Sequence, residues 1–118
     1  MRSKSNLGEF EQMVLLAILQ TGDEAFGLEV RREIEQSTAR RVSRGAFYTT
    51  LDRLETKGLV TWKERPATGP RSTRTGSRRG GMKKRHFKVT ASGLRALRAS
   101  RAALRNLWRG LDAVLKER

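Results

Sequence analysis

The sequence predicts a mainly α-helical fold with a small two-stranded β-sheet, an α+β arrangement in which three short helices precede the sheet and a longer helix follows it. Three observations support this prediction. Apolar residues recur at helical spacing in four segments, and two short runs have strand composition. The stretch between these two runs carries both prolines and four of the eleven glycines. With 118 residues, the chain has the length of one domain with a modest core.

The first two helices supply most of the predicted core. The first runs from about Gly8 to Gln20, and the second begins near Phe26 and continues to about Ser37, where a short turn leads to Val42. The side chains predicted to be buried are Phe10, Met13, Val14, Leu16, Ala17 and Ile18 on the first helix and Leu28, Val30 and Ile34 on the second.

The segment from Val42 to Val60 predicts a third helix that runs directly into a strand. Ser43 is expected to cap its free N–H groups, while Val42 and Phe47 occupy the two positions of a hydrophobic staple. Gly58 supplies a C-terminal stop. Helical spacing places Phe47, Leu51 and Leu54 on a buried stripe and Gly45, Tyr48, Thr49, Asp52 and Thr56 on the opposite face.

The outward face of this third helix has the character of a DNA recognition helix. Its residues are small near the start, so that end of the helix can approach another surface closely. Its polar side chains offer donors for phosphates or base edges in a major groove. The alternative is an ordinary amphipathic helix whose polar face contacts only water. The candidate contacts are Arg44, Tyr48, Thr49 and Arg53.

The distribution of charge indicates a polyanionic partner. The net charge is +14, and no carboxylate lies between Glu64 and Asp112, where fourteen Arg and Lys residues fall. The entire excess therefore belongs to one segment, which favours nucleic acid. A solvated charged face is the alternative, and an anionic membrane is a competitor that the lack of interleaved apolar anchors disfavours. The basic residues assigned to DNA are Arg71, Arg74, Arg78, Arg79, Lys83, Lys84 and Arg85.

These basic residues belong to a predicted wing. Strands at about 59–63 and 86–89 flank a loop at about 66–81 that is poor in apolar residues, so we expect this loop to be flexible in the free protein. Residues 1–89 would then form the DNA-binding domain and 90–118 a C-terminal helix capped by Thr90 and continuing to about Leu115.

The C-terminal helix carries a heptad seam, in which spacings of three and four alternate. We expect this seam to form a homodimer, because the first three helices already consume the small core; the alternative is that the seam packs back on its own domain. Trp108 is either a packed tryptophan of the dimer or a contact for a ligand. Arg101 interrupts the seam, whose apolar members are Leu94, Leu97, Leu104, Trp108, Leu111 and Leu115.

Catalysis and metal binding find no support in the sequence. There is no cysteine, His86 is the only histidine, and the carboxylates have no metal-ligand spacing, so we expect no enzyme, no metal site and no cofactor. His86 is most simply a strand residue. The apolar run from Met13 to Leu19 is too short to span a bilayer and follows acidic residues, so we expect a cytoplasmic protein.

Three phrases of the sequence resemble the PadR family of winged helix-turn-helix transcriptional regulators, over nearly the whole chain. The first two helices carry LGEFEQMVLLAILQTGDEAFGLEVRREIE, the recognition helix and its following turn carry SRGAFYTTLDRLETKGLV, and the second wing strand enters the last helix with KRHFKVTASGLRAL. The chain departs from the family in its long basic wing loop and in Ala91-Ser92, where the family often has Pro-Glu. We expect the second departure to weaken the helix cap.

The resemblance implies a dimeric repressor that binds a near-palindromic operator in double-stranded DNA. It assigns DNA contact to Ser43, Arg44, Tyr48 and Thr49, with a supporting contact by Arg53 and backbone contacts by the wing. The chain looks like the short branch of the family with a single C-terminal helix, some members of which bind aromatic or drug-like effectors between the dimer helices. A non-specific architectural or RNA-binding protein and a protein-interaction adaptor are the alternative functions.

Overall fold

The computed structural model describes residues 7–66 and 83–115. Three helices come first: α1 (Glu9–Thr21), α2 (Gly27–Thr38) and α3 (Arg44–Thr56), with a 3₁₀ turn at Gly22–Glu24 between the first two. Strands β1 (Val60–Pro66) and β2 (Lys83–Val89) follow, and helices α4 (Ala91–Trp108) and α5 (Asp112–Leu115) end the described chain. This is the predicted mainly α-helical fold with a two-stranded sheet. In the described ranges, no helix is both long and apolar enough to cross a membrane.

The two strands form an antiparallel pair whose register runs from Val60 opposite Val89 to Pro66 opposite Lys83. Both strands are longer than predicted, because the ladder continues through charged residues that carry no apolar signal. A bridge between Phe26 and His86 adds the segment before α2 to the other edge of β2. The sheet is thereby tied to the helices. The predicted wing loop lies outside the described residues, except for Pro66, which ends β1.

The core lies between α1, α2, α3 and the inner end of the sheet. Val14, Leu15 and Phe47 are fully buried, together with the other members of the predicted stripe of α3. The prediction that Leu16 and Leu28 are buried is wrong, because Leu16 is 49% exposed and Leu28 is 42% exposed. At 3.6 residues per turn, Leu28 lies about 160° from Val30 around the helix, so it faces away from the core that Val30 enters. Leu16 is turned away on α1 for the same reason.

The end of α3 has the hydrogen bonds of a Schellman motif, as the predicted stop at Gly58 requires. The Gly58 N–H donates to the Glu55 carbonyl at 2.9 Å, and the Leu59 N–H donates to the Leu54 carbonyl at 2.9 Å. Gly58 has a φ of 76°, which disfavours a side chain. Leu54 and Leu59 are both buried, so the chain turns sharply from α3 into β1 without leaving the core.

Helix α4 begins as predicted and ends earlier. The Thr90 hydroxyl accepts a hydrogen bond from the Gly93 N–H at 3.0 Å and donates one to the Gly58 carbonyl at 2.7 Å, so the cap also ties α4 to the end of α3. The predicted continuous helix to Leu115 is wrong, because α4 ends at Trp108 and Gly110 adopts a φ of 76°. Glycine gives a helix an easy exit at this conformation, and α5 follows as one short turn.

The first turn of α4 lies directly on the start of the sheet at Gly93. A Cβ atom at this position would meet the Leu59 carbonyl oxygen, and it would lie 2.7 Å from the Val89 Cγ1 atom. The carbonyl belongs to backbone held by the turn after α3, so it has little freedom to move. Gly93 therefore permits the close contact that seats α4 on the domain.

We expect Gly93→Ala to lower the free energy of unfolding by about 1–3 kcal/mol, the usual cost of overpacking a tight contact. Urea denaturation followed by circular dichroism measures this loss. Gly45→Ala is the matched control, because a Cβ at Gly45 in α3 meets nothing within 4 Å. The control should leave stability unchanged or raise it by up to about 1 kcal/mol. Equal stabilities for the two variants would contradict the close contact at Gly93.

Candidate nucleic-acid interface

The start of α3 is capped by Ser43, as the sequence predicts. The Ser43 side chain accepts a hydrogen bond from the Ala46 N–H at 3.1 Å, while its backbone stays extended. Val42 and Phe47 are both buried in the core on either side of this cap. The first turn of α3 is therefore fixed, and Arg44 and Gly45 lie exposed at its outer end.

The turn before α3 is held by Glu35, a residue that sequence reasoning did not single out. Its carboxylate accepts a hydrogen bond from the Val42 N–H at 2.7 Å, and its carbonyl accepts one from the Ala39 N–H at 2.9 Å. Ala39 closes α2 in a left-handed conformation with a φ of 58°. One side chain at the end of α2 thus sets the path of the chain into α3. A carboxylate close to a helix end and eight residues before a predicted cap was the only signal in the sequence.

Four of the five predicted contacts of α3 are exposed: Ser43, Arg44, Thr49 and Arg53. Gly45 lies next to Arg44, and open space extends beyond the position of a Cβ atom there. The structure thus forms a small, donor-bearing helix end, in which Gly45 and Thr49 lie opposite the buried stripe and Arg44 lies on its flank, about 60° from Phe47. Such a surface can approach the edge of a base pair or a phosphate closely.

Tyr48 differs from the expectation that it lies opposite the buried stripe. It is half-buried, because helical geometry places it about 100° from Phe47, at the edge of the stripe. Its ring packs edge-on against Phe47 with centroids 5.0 Å apart, and its hydroxyl lies against Gly27 at the start of α2. The Arg44 guanidinium carbon lies 5.8 Å from the centroid of the tyrosine ring. Tyr48 therefore joins α3 to α2, and its ring lies beneath the guanidinium group of Arg44 on the protein surface.

The sheet divides the predicted wing residues between two faces. In an antiparallel pair, directly opposed residues share a face. Lys84 lies opposite Arg65 and shares its face with Lys63 and Lys88, so four exposed cations occur there without a carboxylate. Lys83 and Arg85 point to the other face, where the Arg85 guanidinium carbon lies 4.4 Å from the centroid of the Trp62 ring.

We call this surface the four-cation face of the sheet; its members are Lys63, Arg65, Lys84 and Lys88. Only Lys84 was among the predicted DNA contacts of the wing. Three of its members were missed, although alternation along the two strands could have grouped them. Of the predicted wing residues, Arg71, Arg74, Arg78 and Arg79 lie outside the described residues. Long cationic side chains on an exposed sheet are suited to contacts with phosphates.

A helix held by caps at both ends, beside a strand pair with a basic face, has the layout of a winged helix-turn-helix. Residues 15–99 match the family model described as the transcriptional regulator PadR-like family, which is well over half of the chain. The chain belongs to the PadR-like family of transcriptional regulators. Its members are regulators of transcription and not enzymes. No curated protein matches the sequence significantly.

Solved structures share the fold of this PadR-like chain at low sequence identity. A PadR-like transcriptional regulator from Bacillus cereus is 19% identical, with a TM-score of 0.68 over 92% of this chain and 93% of that one. A PadR family regulator from Clostridium difficile is 18% identical, with a TM-score of 0.64 over 91% of this chain and 99% of that one. A third, from Eggerthella lenta, is 22% identical, with a TM-score of 0.60 over 93% and 88% of the two chains.

His86 serves the PadR-like fold as a buried strand residue. Its Nε2 atom lies 3.2 Å from the Asp23 carbonyl oxygen, and its ring meets the ring of Phe26 edge-on with centroids 5.1 Å apart. The neighbouring Phe87 N–H donates to the Ala25 carbonyl at 2.9 Å. These contacts fix the wing to the segment between α1 and α2. Within residues 7–66 and 83–115, no three His, Cys, Asp or Glu residues are grouped so that they could hold a metal ion.

The far end of α3 is anchored by a buried carboxylate on α1. Both oxygens of Glu11 lie 3.0 Å from the Lys57 Nζ atom, and Oε1 also accepts a hydrogen bond from the Gly8 N–H at 2.8 Å. Burial raises the pKa of Glu11, but the hydrogen bond from Gly8 and the charges of Lys57 and Arg53 outweigh this, so the pKa lies below its ordinary value of 4.5. The charge of Arg53 therefore also serves the fold.

We expect Glu11→Gln to lower the free energy of unfolding at neutral pH by about 1.5–3 kcal/mol, the usual range for a hydrogen bond to a charged group. Because the pKa of Glu11 is lowered in the folded protein, its stabilisation is present above pH 4.5 and is lost as the pH falls through the folded pKa. The difference between wild type and variant should therefore shrink in acid. Urea unfolding at several pH values measures it.

Glu9→Gln is the control for the Glu11 substitution, because Glu9 lies exposed in the same first turn of α1. We expect it to change stability at neutral pH by less than about 0.5 kcal/mol, as surface substitutions usually do. A Glu11→Gln variant with a constant deficit from neutral to acid pH would contradict the assigned role of the carboxylate.

Proposed function

We propose that this PadR-like chain is a homodimeric, sequence-specific repressor that binds a near-palindromic operator in double-stranded DNA. The observation that carries the proposal is the capped start of α3, where exposed Arg44, Gly45 and Thr49 project from a helix whose opposite side is locked in the core. Residues 1–89 would form the DNA-binding unit and 90–118 the dimerisation unit. The cytoplasm is the compartment in which such a regulator meets DNA.

Recognition by α3 relies on its first two turns in the major groove. Arg44 has the planar, forked side chain that pairs with the O6 and N7 atoms of guanine. Thr49 offers a hydroxyl and a methyl group, and Gly45 lets the helix come close. The half-buried ring of Tyr48 contacts the Arg44 guanidinium group and so limits the conformations of the Arg44 side chain. Arg53 and Ser43 complete the surface with donors suited to phosphates.

The wing adds affinity without reading sequence. The four-cation face of the sheet extends from the domain on both strands, with Lys84 and Arg65 directly opposed. Lys83 and Arg85 add charge on the other face of the sheet. Cations that contact phosphates release condensed counterions, so their contribution falls with added salt and is nearly equal for all DNA sequences. The basic loop residues Arg71, Arg74, Arg78 and Arg79 belong to the same proposal.

Dimerisation would use the apolar side of α4 beyond the domain. Gly93 and Ala96 are buried, and Leu97, assigned to the seam, is partly buried against the core of its own domain. Further along the same side, Leu104 is 49% exposed, Leu107 74% and Trp108 43%. Leu107 was missing from the predicted seam. A second copy can cover this surface with its own, as a symmetric interface requires.

The remaining seam residues extend or flank this apolar surface of α4. Leu94 is exposed near the start of α4, and Leu111 and Leu115 are exposed beyond its end. Helix α1 packs against α4 and contributes exposed Leu16 and Leu19. Large exposed apolar areas on small proteins mark interaction sites, and the number of leucines here favours a second copy over a chance surface.

Repression would follow from the spacing of the two recognition helices. In a twofold dimer they enter successive major grooves about 34–36 Å apart. A small aromatic or drug-like effector could bind beside Trp108 between the dimer helices. It would act only through a different affinity for two arrangements of the dimer, one of which matches the operator.

Fluorescence anisotropy against DNA from upstream of the gene tests sequence-specific binding, with a scrambled duplex as the reference. We expect a preference of about a thousandfold or more that persists at physiological salt. Arg44→Ala should reduce this preference by about 1–3 kcal/mol, the value of a base contact, whereas Lys84→Ala should weaken both duplexes alike. Tyr48→Phe tests the hydroxyl and keeps the packed ring. Equal losses on both duplexes for Arg44→Ala would refute the recognition role.

Leu104→Glu tests the proposed dimer surface, because it places a charge in an interface that is otherwise apolar. We expect a monomer in sedimentation velocity and at least a tenfold loss of operator affinity, since one half-site alone is bound. Asn106→Glu is the matched control on the same helix; it is exposed and lies about 160° from Leu104 around the axis. The control should remain a dimer. A dimeric Leu104→Glu variant would overturn the assignment.

A further inference from the structure

Helix α4 carries a basic surface that is separate from the recognition helix and from the wing. We call it the arginine stripe, and it consists of Arg95, Arg98, Arg101 and Arg105, all exposed. At 100° per residue, the four positions fall within about 120° of the helix circumference. They extend over about 15 Å along the helix axis.

The arginine stripe points away from the body of its own domain. Its centre lies about 170° around the helix from the midpoint of Gly93 and Ala96, the two buried residues of α4. The exposed Leu104 lies about 50° from that midpoint, whereas Trp108 lies about 90° from it, next to Arg101 at the edge of the stripe. A second copy that covers the apolar surface therefore leaves Arg98 and Arg105, at the centre of the stripe, facing outward.

No carboxylate compensates the charge of the stripe. Helix α4 contains no Asp or Glu, and none of its four arginines makes an ion pair within residues 7–66 and 83–115. The one side-chain hydrogen bond of the stripe runs from Arg95 Nη2 to Ser92 Oγ at 3.0 Å. Four like charges on one helix face repel one another, so a helix of this kind is stabilised when an anion binds to it.

The composition of the stripe favours nucleic acid over an acidic protein. All four cations are arginines, whose forked guanidinium groups match phosphate oxygens in a bidentate manner. Ala91 and Ala102 lie between them on the same face, which leaves room for a backbone to approach. Protein interfaces usually need a buried aromatic or aliphatic anchor at their centre. The one large apolar residue within the arc of the stripe is Leu94, at the N-terminal end of the helix, and the middle of the stripe has no such anchor.

We propose that the arginine stripe of α4 is a second, sequence-independent contact surface for the sugar–phosphate backbone of DNA. The inference rests on the proposed DNA-binding function and adds a site to it. About 15 Å of stripe can meet several phosphates, because each strand carries one phosphate per about 3.4 Å of duplex axis. The stripe would hold DNA by charge, while α3 selects the sequence.

The test compares the salt dependence of binding by the full-length wild type and by an Arg98→Gln/Arg105→Gln variant on a long duplex that contains the operator. Each phosphate contact contributes about 0.9 to the slope of log K against log salt. We expect the slope of the double variant to be smaller in magnitude by about 3.6, because a dimer loses two contacts from each of its two copies, with an unchanged ratio of operator to scrambled affinity. Arg98→Lys/Arg105→Lys should keep most of the slope.

Arg32→Gln controls for the loss of charge alone, because Arg32 is exposed on α2 outside both proposed surfaces. It should change the slope by less than half as much per charge removed. A double variant with the wild-type slope, or an Arg32→Gln variant with the same change per charge, overturns the stripe as a contact site. Loss of the dimer in sedimentation velocity by the double variant would assign these arginines to the subunit interface and would also overturn it. If wild type does not distinguish operator from scrambled DNA, the proposed function fails instead.

Discussion

Burial of the Phe47, Leu51 and Leu54 stripe fixes which side of α3 faces outward, and the position of every proposed DNA contact on α3 follows from this. A helix with one apolar stripe can rotate by only a small angle before it exposes apolar side chains, at a cost of about 1.5–3 kcal/mol for each large one. Arg44 and Thr49 are therefore directed by the core and not by contacts of their own. The polar side chains remain free to bind while the backbone beneath them is fixed.

Polar contacts define the ends of α3 more narrowly than apolar packing could. Ser43 caps the first turn, and Glu35 holds the Val42 N–H in the turn before it. At the other end, Glu11 binds Lys57, and Thr90 binds the Gly58 carbonyl. The last three of these contacts link α3 to α2, α1 and α4. Recognition of DNA needs positions held within a fraction of an ångström, and hydrogen bonds from three different helices provide this constraint.

The sequence predicted the elements of this fold because its local signals agree with the packing. Helical periodicity, the Ser43 cap and the Gly58 stop all occur where expected. Periodicity failed at Leu16 and Leu28, because counting apolar residues ignores the angle at which each leaves the helix. It also gave no sign of Glu35 or of the Gly27 contact with Tyr48, since both join elements whose relative placement exists only in the folded chain. Alternation along the two strands would have grouped the four cations of the wing, but the sequence analysis followed charge along the chain and assigned only Lys84 of them to DNA.

The charges of the chain are segregated in a way that orients it on a polyanion. From Glu9 to Glu35 there are seven carboxylates and two arginines, whereas all the charged residues from Arg65 to Arg109 are cations. A phosphate backbone attracts the second segment and repels the first, so electrostatic steering turns the wing and α4 toward approaching DNA. Such steering costs the fold some self-repulsion within α4. In the proposed dimer, burial of the leucines on the other side of the same helix would offset that cost.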